Sequence, residues 1–416
     1  MRILMLSWEY PPRIVGGIAR HVEELAWSLA KLDDVEVHVV TCEFPGAAVE
    51  EQFNGVHIHR VAPYGETHDN FFHWIHQLNN AMRDRAKLLI EGWLKPKSKR
   101  SKPLDPRKLS DADGIILHPH DWLSHFAATE LKYQFKLPIV ATIHATEFGR
   151  NDGIHTETNR YINSIEQQLS HEAWRVIVCS HFMRGELGHA LHTPWDKIDI
   201  IYNGVITDKF VFDFPADEAA SFRRRFALPN EKIVLFVGRG VREKGCQVLI
   251  DAFPEVRRRY HDVKLVIAGG GNRLHLIHQA GALGVSEQTV FTGFIPDEDL
   301  LRLYKVADVA CFPSLYEPFG IVALEAMAAH VPVVVSNAGG LPEVVDSGAT
   351  GLVTECNNPT SLAIGITRML MEPGYAGYMA KNAFEKVQTV FNWDRIAEQT
   401  NHVYNRVWTG YKASDW

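Results

Sequence analysis

Two acids, Glu317 and Glu325, flank a short run, Ser314-Leu-Tyr-Glu-Pro-Phe-Gly-Ile-Val-Ala-Leu-Glu325, that reads as a turn entering a helix. Glu317-Pro-Phe-Gly320 is the turn, and Ile321 to Ala329 is the helix. The first helical turn has no basic residue, so its positive N-terminal end is open to an anion. Glu317 then falls at the helix mouth and Glu325 inside the helix. Two carboxylates so spaced can each hold hydroxyls, while the N–H groups between them face a phosphate or a sugar oxygen. Taken alone, the pair reads first as a capping acid and a solvent-facing helical acid.

Other residues supply complementary chemistry. Gly238-Arg239-Gly-Val-Arg-Glu-Lys244 follows an apolar strand, so Arg239 and Lys244 can both reach one pyrophosphate. A guanidinium fork and an ammonium point charge could together neutralise a diphosphate leaving group without a metal. Gly16-Gly17 opens a helix after the first strand, where missing side chains let backbone N–H groups approach an anion. Gly269-Gly-Gly271 and Gly339-Gly340 repeat this placement at later strand ends. There is no G-x-x-x-x-G-K-[ST] and no full G-x-G-x-x-G, which disfavours a P-loop ATPase or a nicotinamide dehydrogenase. Among 21 histidines, His118-Pro-His120-Asp121-Trp122 and His144-Ala-Thr-Glu147 follow strands without the H-E-x-x-H or C-x-x-C spacing of a zinc site. His144 reads either as a hydrogen-bonding group for a sugar hydroxyl or as a satisfied structural histidine.

These residues need elements to carry them. Ile3 to Leu6 is a buried strand, and Ile18, Val22, Leu25, Ala26 and Leu29 form one helical stripe. Val35 to Val40 is the next strand, so the chain opens as βαβ and predicts a parallel sheet. Val56–Val61, Ile115–His118, Ile139–Ile143, Val176–Cys179 and Ile198–Ile201 continue it, with a long helix at Phe71 to Leu94. Residues 207–215 read as a linker. The second half repeats the rhythm at Ile233–Val237, Val263–Ala268, Val290–Thr292, Val309–Phe312, Val331–Val335 and Gly351–Val353. The fold class is α/β, with two doubly wound Rossmann-like domains in tandem and ligands beyond the carboxyl ends of the strands. A helix near Asp394 to Trp408 is a candidate to pack back on the first domain. The basic, proline-rich residues 95–108 read as a solvated linker or as a lid for an anionic acceptor.

Composition narrows the function. A chain of 416 residues favours two domains. Its 43 basic against 50 acidic residues give a net charge of −7, which argues against nucleic acid or a membrane surface as partner. Five scattered cysteines read as reduced core residues. The opening seven residues are too short for a secretory signal, and no apolar run reaches the roughly 20 residues of a membrane span, so a cytoplasmic location is expected.

Together these features resemble the family 4 retaining glycosyltransferases, which have a GT-B fold. The resemblance covers most of the chain outside the basic stretch between Phe71 and Ser110. Glu317 to Glu325 matches that family's E-x7-E motif. The resemblance implies an acceptor-side domain over residues 1–206, to which 392–416 returns, and a nucleotide-sugar domain over 207–391, with the active site in the interdomain cleft. It implies Glu317 on the donor sugar, Glu325 on ribose hydroxyls, and the backbone of Phe319, Gly320 and Ile321 on sugar or phosphate oxygens. Arg239 and Lys244 match the donor-phosphate pair, Gly16 and Gly17 the glycines abutting the diphosphate, and His144 the histidine beside the reacting sugar. Phe294 and Ile295 would lie near the base, and His120, Asp121, Trp122 and Glu147 on the acceptor side.

Tyr10-Pro-Pro-Arg-Ile-Val-Gly-Gly-Ile18 and His118-Pro-His-Asp-Trp122 are similar to bacterial glycogen and starch synthases. Those enzymes carry Lys two residues before the glycine pair, where this chain has Ile14 beside Arg13. Sucrose-phosphate and trehalose synthases share the donor motif with other acceptors. The implied activity is retaining transfer of a hexosyl unit from UDP- or ADP-glucose, with no cofactor and no metal. A nucleotide-sugar epimerase, a phosphorylase and a silent sugar-nucleotide binder are the competing classes. A phosphorylase needs a lysine for pyridoxal phosphate, and none stands out. An epimerase would not be expected to combine Arg239, Lys244, both glutamates and His144, and a silent binder would be expected to have lost one of them.

Overall fold

The computed structural model describes residues 1–65, 67, 69–95 and 104–416. Most of the basic stretch, residues 96–103, lies outside the described residues. The chain divides into two compact units, Met1–Asn203 with Trp393–Trp416, and Gly204–Asn392.

The first unit is built on β1 (Arg2–Ser7), β2 (Glu36–Cys42), β3 (Glu50–Phe53), β4 (Val56–Val61) and β5 (Ile115–Pro119), in the order β3-β4-β2-β1-β5. A second set, β6 (Val140–Thr142), β7 (Arg175–Val178) and β8 (Ile198–Ile200), is ordered β6-β7-β8 and joins β5 through parallel bridges at Leu117–Ile139 and His120–Thr142. All pairings are parallel except β3–β4. Parallel strands are covered on both faces, so they read as continuous apolar runs, and Ile3 to Leu6 are each fully buried. The edge strand β3 was not expected from sequence. All four of its residues are exposed and show no apolar alternation. Its signal is the Asn54-Gly55 turn, with φ of 48° and 81°, which suits a two-residue hairpin.

The second unit carries β9 (Lys232–Val237), β10 (Val263–Ala268), β11 (Thr289–Gly293), β12 (Val309–Phe312), β13 (Val333–Ser336) and β14 (Leu352–Thr354). Their order, β11-β10-β9-β12-β13-β14, is the all-parallel dinucleotide-fold order, whose switch point lies between β9 and β12. Val234, Phe236, Leu265, Ile267, Val309 and Cys311 point to one face of the sheet and form a core with the helices Cys246–Arg259, Leu274–Ala282 and Pro359–Met371. In the first unit the switch point lies between β1 and β5.

The last helix, Trp393–Lys412, belongs to the first unit. Its apolar stripe of Ile396, Val403, Tyr404, Val407 and Trp408 is buried. The Trp393 indole donates to Glu24 on the Gly17–Leu29 helix, and the Tyr404 hydroxyl meets His118 Nδ1 at 2.6 Å. The final helix is thereby tied to the strand that carries the His118–Trp122 motif. Among the described residues no helix is long and apolar enough to cross a membrane.

Candidate functional site

In the second unit the switch point gathers an ion pair. Lys244, at the end of the short 3-10 turn Arg242–Lys244 after β9, places Nζ 2.7 Å from Glu317 Oε2. Ser314, just past β12, donates to the same oxygen at 3.1 Å. The Glu317 side chain is only 8% exposed and that of Lys244 24%, so the pair is largely desolvated yet open on one side. The two loops are stitched together by Leu315 N–H and Tyr316 N–H donating to the Glu243 carbonyl. Gly245, at φ +69°, passes so close that a Cβ there would lie 1.8 Å from the Pro313 carbonyl.

Gly339 and Gly340, read from sequence as an anion-binding turn, have a different use in the structure. Gly340 N–H donates to the Glu317 carbonyl at 2.8 Å, and a Cβ on Gly339, at φ +58°, would fall 2.0 Å from that oxygen. These glycines let the chain after β13 close onto the Glu317 backbone and fix where its carboxylate points. Gly269 serves likewise against Gly238, with a Cβ landing 1.9 Å from the Gly238 carbonyl.

The Ile321–Ala328 helix starts at Gly320, whose φ is +115°, with no side-chain cap and no charge in its first turn. Phe319 is buried against Phe391 at a ring distance of 5.8 Å, so it presents backbone and not its ring. Glu325, inside the helix, accepts the hydroxyl of fully buried Tyr304 at 3.0 Å. Burial and that carboxylate push the Tyr304 hydroxyl well above its usual pKa. Arg239 is half exposed, 3.4 Å from Glu243. Phe294, after β11, is 77% exposed.

The first unit assembles different groups at its own switch point. Glu9, two residues past β1, is buried and accepts Val15 N–H at 2.5 Å and Gly16 N–H at 2.9 Å. The Gly16 N–H is therefore already engaged, a partner that sequence reading did not supply. Burial holds the Glu9 pKa up against those two bonds. Asp121, two residues past β5, has φ 59° and ψ 172°, a region costly for any residue with a Cβ. It is held there by its N–H on the Thr142 carbonyl at 2.9 Å and by its carboxylate on His144 N–H at 2.6 Å. Burial pushes the Asp121 carboxyl up to about 6.

His144 Nε2 lies 3.1 Å from His120 Nδ1, and its ring centroid is 4.5 Å from that of His21. Burial, and then the nearby Arg150 charge, bring His144 down to about 3. His21 and His120 are held well below the usual range, again by burial. Both leave a buried Nε2 without a hydrogen-bond partner, while His21 Nδ1 meets Asn203 at 2.8 Å. His21, His120 and His144 each place a ring nitrogen within 4.8 Å of the others, close enough to share an ion. His118 is structural, bonded to Thr142 and Tyr404. Glu147 opens a short helix capped by Thr146, and its carboxylate accepts from Asn159 at 2.6 Å.

Beside Asp121 an aromatic surface is built on the Phe71–Trp93 helix. Trp122 packs near Phe71 and Phe72 at 6.4 and 6.2 Å, Trp8 near Phe71 and Trp74, and Tyr161 edge-on to Phe72 at 5.1 Å. Arg13 lies over the Trp8 and Trp74 rings at 5.5 and 5.2 Å. Phe71 and Tyr161 are exposed.

The structure thus brings Lys244 to Glu317 in one unit, and His120, Asp121, Trp122 and His144 together in the other. Glu9, His21, Asn203, Tyr304 and Ser314 were not singled out from sequence. Glu9 had a signal, standing as far past its strand as Asp121 does past its own.

Comparison with known proteins gives a consistent answer. The model for Glycosyltransferase Family 4 matches residues 15–209, and that for Glycosyl transferases group 1 matches 218–386. An uncharacterized glycosyltransferase of Methanocaldococcus jannaschii is 38% identical over 406 residues, 97% of this chain and 98% of that protein. The glycogen synthase of Mycobacterium tuberculosis is 35% identical over 414 residues, 97% and 94% of the two chains. Sucrose-phosphate synthase from Thermosynechococcus elongatus shares the fold at a TM-score of 0.79 and 24% identity, over 98% of this chain and 99% of that one. Anabaena HepE, solved in complex with UDP-glucose, does so at 0.76 and 18%, over 98% and 100%. Two Rossmann-like units with parallel sheets are the GT-B fold.

Proposed function

The chain belongs to the family 4 glycosyltransferases, and on that premise we propose that it moves a glucosyl unit from UDP- or ADP-glucose to an α-glucan with retention of configuration. One observation carries this reading: the Lys244–Glu317 pair at the switch point between β9 and β12, beside an uncapped helix N-terminus. A nucleoside diphosphate there would take up Lys244, while a sugar hydroxyl takes up Glu317. The two charges exchange partners and neither is left unpaired in a desolvated site. Arg239, Lys244 and the helix end then stabilise the departing diphosphate, the electrostatic contribution that usually dominates. Because these cations meet the leaving charge, the reaction is proposed to need no metal at the diphosphate.

In the same reading the Phe319, Gly320 and Ile321 backbone meets sugar or phosphate oxygens, Glu325 the ribose, and Phe294 with Ile295 the base. Gly16 and Gly17 leave room for the diphosphate. Neutral His144 hydrogen-bonds the reacting sugar, and the acceptor hydroxyl attacks from the face that the diphosphate leaves. His120, Asp121, Trp122 and Glu147 serve the acceptor. The aromatic surface around Trp122 supports a glucan over a small sugar phosphate, because flat apolar rings suit the faces of successive glucose units. Support also comes from the glycogen synthase relative and from UDP-glucose in the HepE complex.

The test is transfer from UDP- and ADP-glucose to glycogen, glucose and fructose 6-phosphate, by wild type and by Glu317→Ala and Lys244→Ala. Transfer to glycogen that both substitutions abolish is the expected result. Unchanged turnover in both variants would overturn the site.

A further inference from the structure

Away from these groups, a chain of polar side chains runs across the edge of the first sheet. β2 opens Glu36-Val-His38 and β4 carries His57-Ile-His59. Alternation puts Glu36 and His38 on one face of β2, and His57 and His59 on one face of β4. The register pairs His38 with His57, so all four share a face, and Glu50 of β3 joins them opposite His59. These residues lie at or near the starts of parallel strands. Glu9 and Asp121 follow strand ends, so the cluster is at the opposite end of the sheet from them.

The contacts form a line. Glu36 Oε1 lies 3.0 Å from His38 Nε2, His38 Nδ1 lies 3.0 Å from His59 Nε2, and His59 Nδ1 lies 2.5 Å from Glu50 Oε2. Arg2 holds the other oxygen of Glu36 at 3.1 Å, and Arg85 holds the other oxygen of Glu50 at 2.8 Å while also approaching His59 Nδ1 at 3.0 Å. His38 is packed between the His57 ring, stacked at 4.6 Å, and Trp93 at 4.8 Å.

With both imidazoles neutral, the hydrogen atoms do not suffice for this line. Three contacts need three protons, and two neutral imidazoles bring two. At 2.5 Å the His59–Glu50 contact keeps one. The His38–His59 contact keeps the other. His38 Nε2 then turns a lone pair on the Glu36 carboxylate. A cation held by those two atoms takes the place of the missing proton, and a third donor stands beside it: Glu36, His38 and His57 each offer a ligand atom within 4.8 Å of the others. Ligand atoms of a tetrahedral Zn²⁺ lie about 3.4 Å apart, so the partly exposed His57 ring, stacked on His38 here, turns to bring its lone pair onto the ion, and Glu36 follows by rotation of its carboxylate.

We propose that Glu36, His38 and His57 form a binding site for a divalent cation of the zinc type, with water completing a tetrahedron. Two imidazoles and one carboxylate suit that class of ion better than calcium or magnesium. His38 then donates Nδ1–H to His59, and His59 donates to Glu50. Arg2 fixes the second oxygen of Glu36. This is the outer layer of carboxylate and histidine partners that orients metal-bound imidazoles. The ion would clamp β2 to β4 and, through Glu50, hold the β3 edge.

The experiment uses the full chain without an affinity tag, stripped with a chelator and titrated with Zn²⁺ by calorimetry and with Co²⁺ by visible absorption. Wild type is expected to take one ion at this site with a tetrahedral Co²⁺ spectrum. Its Tm should rise by about 5 °C or more at a hundredfold excess of Zn²⁺ over Kd. Glu36→Gln and His57→Gln, both at partly exposed positions, should weaken binding at least tenfold and lose the Tm rise. His144→Gln separates this site from the other histidine cluster and should retain the ion. Absence of stoichiometric binding by wild type, wild-type affinity in His57→Gln, or loss of the ion in His144→Gln alone would each overturn the proposal.

Discussion

The two switch points share a sheet geometry and hold opposite chemistry. In the second unit a carboxylate and an ammonium meet at 2.7 Å, and the site is built around a pair of charges. In the first unit the corresponding strand ends carry two acids, Glu9 and Asp121, met by backbone N–H groups and surrounded by imidazoles. Burial there raises both acids and lowers His21, His120 and His144, so the polar groups tend toward their neutral forms. The strand order therefore fixes where a site forms, and the side chains decide whether it is charged. A charged site suits an anionic diphosphate. A neutral, hydrogen-bonding site beside aromatic rings suits sugar hydroxyls.

The largest expected effects come from breaking the charged side of that contrast. Lys244→Ala and Glu317→Ala should each lower kcat by about 10²-fold or more, as loss of a principal electrostatic group does. Each also strands its partner in a desolvated site, so the Tm loss of the double variant should be smaller than the sum of the single losses. Thermal melts of the four proteins check this, and strict additivity would show that the two residues act independently.

A pair of glycine substitutions sharpens the comparison. Gly339→Ala meets both a positive φ and a Cβ 2.0 Å from the Glu317 carbonyl, so it should destabilise the second unit by about 3 kcal/mol or more. Gly16 has φ −155°, and a Cβ there meets nothing closer than Glu9 at 3.8 Å. Gly16→Ala should leave the denaturant midpoint within about 1 kcal/mol of wild type. It should nevertheless weaken donor binding if the diphosphate passes beside it. A stable Gly16→Ala enzyme with wild-type KM for the donor would remove Gly16 from the proposed site.

These two glycines also show what a sequence can disclose. Apolar runs such as Ile3–Leu6 and Ile233–Phe236 marked the strands because parallel sheets bury both faces. The polar residue just past each run then marked a possible site, which is why Lys244, Glu317, Asp121 and His144 could be picked out. Glycine clusters were ambiguous, since the same residue serves an anion loop or a close backbone crossing. Only the crossing of the chain after β13 over Glu317 distinguishes them at Gly339. Partners set by how the loops and helices fold back were out of reach: Tyr304 for Glu325, Ser314 for the Glu317 oxygen, and Glu9 for Gly16. The exposed strand β3 carried no burial pattern at all.

Acid should separate the two regions next. His21, His118 and His120 are buried with pKa values well below 6.5, and His144 is at about 3. The unfolded chain takes up their protons as pH falls below about 6.5 while the folded unit does not, so stability is lost on acidification, by up to about 1.4 kcal/mol per pH unit for each. Asp121 opposes this. Its folded pKa of about 6 exceeds the unfolded 3.8, so its contribution is present below 3.8 and lost as pH rises through 6. Glu9 and Glu166, also raised by burial, act in the same direction as Asp121. The four histidines outweigh these three acids, and the first unit should lose stability between pH 6.5 and 4. Hydrogen exchange at pH 7 and pH 5 is the measurement: amides of β1, β5 and β6 should lose protection before those of β9 and β12. Equal loss in both units would contradict the neutral assignment.

The smallest expected effect lies within the charged unit. Tyr304 donates to Glu325 from a fully buried position. Tyr304→Phe keeps the ring and its packing and removes one hydrogen bond, worth about 1–3 kcal/mol to a charged acceptor. Part of that loss should appear as a raised donor KM, about threefold to tenfold, because Glu325 is then less firmly aimed at the ribose. The kcat should stay near wild type, since the reacting sugar and diphosphate lie on Glu317 and Lys244 in this reading. A fall in kcat with an unchanged KM would instead put Glu325 in the chemical step, and the division of roles between the two glutamates would have to be redrawn.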